Sequence, residues 1–115
     1  MSQHNKEMWD VELQFISEWV EKRRTINYTI HAQQRMKERL VGKEMIKNTL
    51  IYGRIEEGFD KGEYSRGEHP HDNRDPVRTI KHVINGRTLV IAVALENLNG
   101  RLRFSVVTVY WKDGK

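Results

Sequence analysis

The chain has 115 residues, 37% of them apolar and 31% charged, with a net charge of +4 and a pI near 9.5. That length supports one domain with a real core, and the balance of apolar and charged residues excludes a disordered tail. A sequence without cysteine has no disulfides, thiol nucleophiles or cysteine-ligated zinc, while the positive surplus favours polyanionic partners.

The opening residues, Met-Ser-Gln-His-Asn-Lys-Glu, lack the apolar segment of a signal peptide. The longest apolar run, Leu89 to Leu95, falls far short of the ~20 residues that span a bilayer. A cytoplasmic location with no membrane contact is expected.

Residues 5 to 24 read as a helix. Trp9, Leu13, Ile16 and Val20 line one side, and Met8, Val11, Phe15 and Trp19 an adjacent one. An apolar sector of roughly 200° exceeds the ~100° stripe that one core usually takes. The helix is therefore clamped between parts of its own domain, or part of it meets a second protein, such as another copy of the chain. Arg23 to Tyr28 is a connector with a short extended piece at Ile26 to Tyr28. The next helix runs from Ile30 to Leu40, with Thr29 as its N-cap. A further short helix follows Gly42, carrying Met45, Ile46, Thr49 and Leu50 on one face, and Gly53 is placed to stop it in the left-handed conformation.

Beyond Gly53 the helical period gives way to alternation. Arg54 to Phe59 reads as a marginal strand and residues 60 to 76 as a polar loop. Val77 to Ile84 and Arg87 to Leu95 form a hairpin around Asn85-Gly86, a type I′ signal, and Asn97 to Gly100 turns the chain into Leu102 to Trp111. The strand 89–95 is apolar on both faces and belongs in the middle of the sheet. Helices followed by a meander predict an α+β domain, with N-terminal helices packed on a three- to four-stranded antiparallel sheet.

Chemistry concentrates at residues 29 to 39, where His31, Arg35 and Arg39 recur at i, i+4. On a helix they share a sector roughly 80° wide. Ala32, Met36 and Leu40 fill the adjoining sector, so one titratable group and two permanent cations edge the apolar stripe, as an anion or phosphate site requires. Lys22, Arg23, Arg24 and Lys37 gather around the same region.

The string Tyr28-Thr29-x-His31-Ala32-x-x-Arg35-Met36-x-x-Arg39 is followed by a short helix ending at Gly53, by Ile55-Glu56-Glu57, and by strands closing on Val107-Thr108-Val109-Tyr110. This pattern resembles a widespread family of small bacterial proteins that is similar to the barnase, EndoU, colicin and RelE-like ribonuclease-toxin group. The resemblance covers roughly residues 27 to 59 and 78 to 111, leaving helix 5–24 and the loop 60–76 outside. It implies helices on a four-stranded antiparallel sheet of RelE or barnase type. It also implies an RNA-directed function, a metal-independent endoribonuclease of a toxin–antitoxin-like system restrained by a protein partner. After Arg39 that family continues with a glycine and an aliphatic residue, whereas this chain has Leu40-Val41-Gly42, so a shifted turn is expected.

Metal-independent RNA cleavage needs a base, an acid and cations on the phosphate. His31 suits either proton-transfer role, and Arg35 and Arg39 suit the phosphate through their planar forks. Thr108 and Tyr110 share one face of the last strand, alternating with Phe104 and Val106, and supply hydroxyls if that face meets the motif helix. The plainer arrangement pairs the arginines with Glu38, Glu44 or acidic residues of the sheet, and leaves His31 to help cap its helix. His82 shares a strand face with Ile80 and Ile84 and points inward, as a core histidine or a second catalytic one. A nucleic-acid surface draws on Arg23, Arg24, Arg35, Arg39, Arg66 and Arg78. Glu68-His69-Pro70-His71-Asp72 has metal-ligand residue types but lies in a polar loop best described as solvated, so neither metal nor cofactor is expected. The alternative to an enzyme is a non-catalytic module that binds nucleic acid or protein through the same basic edge.

Overall fold

A short 3-10 turn, Lys6–Met8, leads into α1, Trp9–Glu21. Then come β1 (Asn27–Tyr28), α2 (Ile30–Glu38), α3 (Lys43–Tyr52), β2 (Arg54–Phe59), β3 (Val77–Ile84), β4 (Arg87–Leu98) and β5 (Arg101–Trp111). The computed structural model describes residues 6–60, 63, 64 and 75–112. The class is α+β, as expected. The sheet differs from the expected one in having five strands in the order β1-β5-β4-β3-β2. It is also mixed, because β1 lies parallel to β5, with Asn27 beside Ser105 and Tyr28 beside Val106. Two residues of strand carry no alternation to read, so the sequence shows them only as an extended piece.

β4 takes the centre. Leu89, Val90, Ile91, Ala92 and Val93 have no exposed surface, which is what apolar residues on both faces of a strand require. On one face Leu89, Ile91, Val93 and Leu95 join a core with Ile16 and Val20 of α1, Ala32 of α2, and Ile46 and Leu50 of α3. On the other face Val77 and Ala92 pack with Tyr64, Phe59 and Ala94. Asn85 and Gly86, with φ of 51° and 79°, make the expected I′ turn. Asn99 and Gly100 repeat it at 53° and 78°, so β4 runs on to Leu98.

Most of the wide apolar sector of α1 is absorbed within the domain. Trp9, Ile16 and Val20 are buried, and Leu13, Phe15 and Trp19 pack against the core. The rings of Phe15, Trp19 and Phe104 form a cluster with centroids 5.8–6.3 Å apart. Met8 and Val11 remain exposed. A buried ion pair bolts the helix to β3, where Arg78 Nε and Nη2 donate to the two carboxylate oxygens of Glu12 at 2.6 and 3.1 Å.

Two backbone positions depart from expectation. Gly53 ends α3 in an extended conformation, with φ −79° and ψ −176°, not a left-handed one. Glycine is needed there for space, since a Cβ would lie 2.4 Å from the Thr49 carbonyl oxygen and 2.6 Å from that of Lys81. The left-handed residue is Leu40, with φ 55°. It closes α2 by letting Val41 N–H donate to the Met36 carbonyl at 2.9 Å, the long bond of a Schellman-type end. The turn therefore stands directly after Arg39 and is not displaced.

Candidate nucleic-acid interface

The motif helix α2 lies against the outer edge of β5, and the residues capping its two ends supply hydrogen bonds that a neighbouring strand would otherwise make. Thr29 N–H donates to the Val106 carbonyl at 3.0 Å. The Thr29 hydroxyl donates to the Val107 carbonyl at 3.1 Å and accepts from Ala32 N–H at 3.0 Å, capping the helix as expected. At the far end the Arg39 guanidinium donates to the Val109 carbonyl at 2.5 Å, and Trp111 Nε1–H returns a bond to the Arg39 carbonyl at 2.9 Å. An exposed sheet edge is a template for pairing with other chains, and this helix covers it.

Val106, Val107 and Val109 all present carbonyls to that edge because β5 bulges, which shifts the outward carbonyls from even to odd positions. Ala92 pairs with Thr108 and Val93 with Val106, so Val107 is an extra residue. The bulge also reverses side-chain direction. Phe104, Val106, Val109 and Trp111 join the helix-side core. Thr108 and Tyr110, paired with Ala92 and Val90, fall on the opposite face. The hydroxyls expected to meet the motif helix therefore lie across the sheet from it.

His31, Arg35 and Arg39 do share one side of α2. All three are half-buried, beside the buried Ala32, while Gln33 and Lys37 are exposed. Arg35 donates to Glu38 at 2.6 Å, the plainer arrangement weighed for it. Arg39 is tied to the backbone, yet it also lines a cleft of about 310 Å³ with Arg87, Asn85 and Trp111. There the Arg87 guanidinium lies 4.1 Å from the Trp111 ring centroid. A second cleft, of about 330 Å³, opens at the start of β5 between Arg24, Trp19, Asn27 and Arg103. Arg24 lies over Trp19, its guanidinium carbon 3.6 Å from the ring centroid, and Trp19 Nε1–H is held by the Thr25 carbonyl at 2.9 Å. Each cleft thus presents a guanidinium pre-set by an aromatic face.

Other candidates are placed as follows. Arg23 is exposed in the left-handed turn after α1, with φ 59°. Arg78 is corrected outright, because it is 1% exposed and committed to Glu12, so it has no surface to offer a nucleic acid. Its helix-side direction on β3 becomes legible only once strand register is known. Arg66, His69 and His71 lie outside the described residues. Among the described residues no cluster of metal-ligand types is close enough to hold a metal ion. The sequence does not mark out Arg87 or Arg103, because nothing local says that Arg87 meets Trp111 or that Arg103 shares a cleft with Arg24.

A family model described as a domain of unknown function, DUF4258, matches residues 28–111. The chain belongs to the DUF4258 family. Comparison with curated proteins and with solved structures finds no match. The DUF4258 match begins at Tyr28 and ends at Trp111, so it spans both ends of the fastening between α2 and β5 and leaves α1 outside. No described helix is long and apolar enough to cross a membrane.

Proposed function

We propose that this DUF4258 protein is RNA-directed and acts as a binding module, holding a single strand along β5 without cleaving it. The observation that carries this reading is the pair of arginine clefts at the two ends of β5, Arg24 with Arg103 and Arg39 with Arg87. At 3.3 Å per residue the two clefts stand roughly 25 Å apart, a span of several nucleotides. Arg35 projects from α2 between them. Cations that track a backbone and aromatic faces beside them are the usual equipment for sequence-tolerant single-strand binding.

Catalysis fits the geometry less well. His31 and Arg39 are separated by roughly 12 Å along the helix axis, whereas proton transfer and phosphate stabilisation must converge within about 3 Å of the reacting atoms. Thr108 and Tyr110 are on the other face of the sheet. Arg39 already has a carbonyl partner.

The test is a gel shift of labelled mixed-sequence RNA over a range of salt, with EDTA present. Binding should fall with salt, and Arg24→Ala or Arg87→Ala should each flatten the logarithmic salt slope by about 0.7, one phosphate contact of a single strand. RNA cleavage that disappears in His31→Ala would replace this reading with an endoribonuclease. Absence of binding at low salt would remove both.

A further inference from the structure

On the face away from the helices the sheet carries a second cationic site, across the strands from the Arg39–Arg87 cleft. Register places Arg54 beside Lys81, Lys81 beside Val90, and Val90 beside Tyr110. The next row holds Val83 and Thr88, with Lys112 N–H bonded to the Thr88 carbonyl at 2.9 Å. Where these rows reach the hairpin end they line a recess of about 260 Å³, with Tyr52 and His82 at its rim.

Three features of the recess point to one ligand class. The first is charge. Lys81 and Lys112 share a single carboxylate, Glu56, which Lys81 meets at 3.1 Å. Arg54 has no ion-pair partner among the described residues. Two carboxylates act there, Glu56 by direct contact and Glu57 through its charge on Lys112, so three cations still leave the site net positive. The second is exposed apolar surface. Tyr52 is 69% exposed and Val83 61%, and Tyr52 is the one aromatic side chain among the large apolar residues exposed in the described structure. Its ring centroid lies 6.3 Å from that of His82, so a flat surface stands at the mouth of the cationic recess. The third is size. The volume is below the roughly 300–1,000 Å³ of pockets that enclose a drug-sized ligand, so it takes the anionic end and leaves a planar group outside.

We propose that this recess binds a nucleotide, with its phosphate among Arg54, Lys81 and Lys112 and its base stacked on Tyr52. A phosphate has the acceptor oxygens to engage several cations at once, and a base supplies the flat face that makes an exposed tyrosine useful. Glu56 holds the two lysines in place and competes with the incoming phosphate for them. The unit is either a free nucleotide or the end of an RNA strand. The site stands apart from the β5 track, which shares no residue with it.

The experiment is amide-shift titration of the ¹⁵N-labelled full chain with AMP, inorganic phosphate and adenosine in turn. AMP should saturate, shift Tyr52, Arg54, Lys81 and Thr88, and bind at least tenfold more tightly than phosphate or adenosine alone. Arg54→Ala should weaken AMP about tenfold, and Tyr52→Ala should reduce AMP to the affinity of phosphate. Glu56→Gln should tighten AMP several-fold by freeing two lysines, a gain that loss of structure cannot imitate. AMP no tighter than phosphate, shifts centred elsewhere, or indifference to Arg54→Ala overturns the proposal. A 5′-phosphorylated oligonucleotide that outbinds AMP at these residues identifies a strand end as the source, and the reverse order identifies a free nucleotide. Loss of RNA binding in Arg24→Ala with AMP binding intact, or the converse for Arg54→Ala, separates the two sites.

Discussion

The two arginines of the motif should separate in a stability measurement. Arg39 donates a charged hydrogen bond to the half-buried edge carbonyl of Val109, whereas Arg35 pairs with Glu38 on the helix surface. Replacing each by methionine keeps the aliphatic stem and removes the guanidinium. A hydrogen bond from a charged donor contributes about 1.5–3 kcal/mol, so Arg39→Met should cost about 2 kcal/mol. An exposed pair within one helix contributes only about 0.3–0.5 kcal/mol, so Arg35→Met should be nearly silent. In a domain of this size 1 kcal/mol moves Tm by about 4 °C, giving about 8 °C for Arg39→Met and at most about 2 °C for Arg35→Met. Arg39→Lys should recover part of the loss, because an ammonium can donate to the one carbonyl that the guanidinium meets. Calorimetric Tm checks all three. Equal and small losses for Arg35→Met and Arg39→Met would refute the assignment of Arg39 as a fastener of β5.

Leu40→Gly should raise Tm by about 2–4 °C in the same assay. A left-handed leucine costs about 1–2 kcal/mol, part of which is offset by the extra freedom of glycine in the unfolded chain, and the side chain is 85% exposed. A fall in Tm would show that Leu40 makes contacts that outweigh its strain. Tyr28→Phe should be neutral or stabilising by up to about 1 kcal/mol in urea titration, because the Tyr28 hydroxyl is buried without a hydrogen-bond partner among the described residues. Burial, followed by the Glu44 carboxylate, pushes the Tyr28 hydroxyl above the usual tyrosine range, so spectroscopic titration should show a late phase that Tyr28→Phe removes. Burial raises the Glu56 carboxyl, but hydrogen bonds from Lys112 and Lys81 outweigh it and leave the group below the usual carboxylate range. A lowered native value means stability that is present above the ordinary carboxylate value and is lost as pH falls through the native one. Unfolding measured from pH 7 down to pH 3 should therefore show an acid-side loss that Glu56→Gln reduces. An unchanged acid limb would remove Glu56 from that role.

Much of the fold is legible from local signals. The Asn-Gly turns require positive φ at both residues, and β4 announces its central place by being apolar on both faces. β1 is too short to show a period, and its pairing with β5 depends on how α1 delivers the chain. Gly53 could be read as a helix stop, but only the approach of the Lys81 carbonyl shows that the missing Cβ is what matters. Arg78 resembles any surface cation in sequence, because its partner Glu12 is distant in the chain.

The candidate site was less legible for one physical reason, the bulge at Val107. Strict alternation carries Thr108 and Tyr110 with Phe104 and Val106, and a single extra residue sends them to the other face. The same bulge turns the Val107 and Val109 carbonyls outward, where Thr29 and Arg39 meet them. The motif's ends are therefore held by an irregularity in a strand some seventy residues away. Thr29 and Arg39 face the sheet edge as fasteners, and Arg35 is left as a surface cation paired within its own helix. A sequence pattern with the spacing of a phosphate clamp thus has a sufficient explanation in covering an unpaired strand. Any RNA-directed role must draw on the arginines that the fastening leaves facing solvent at the two ends of β5.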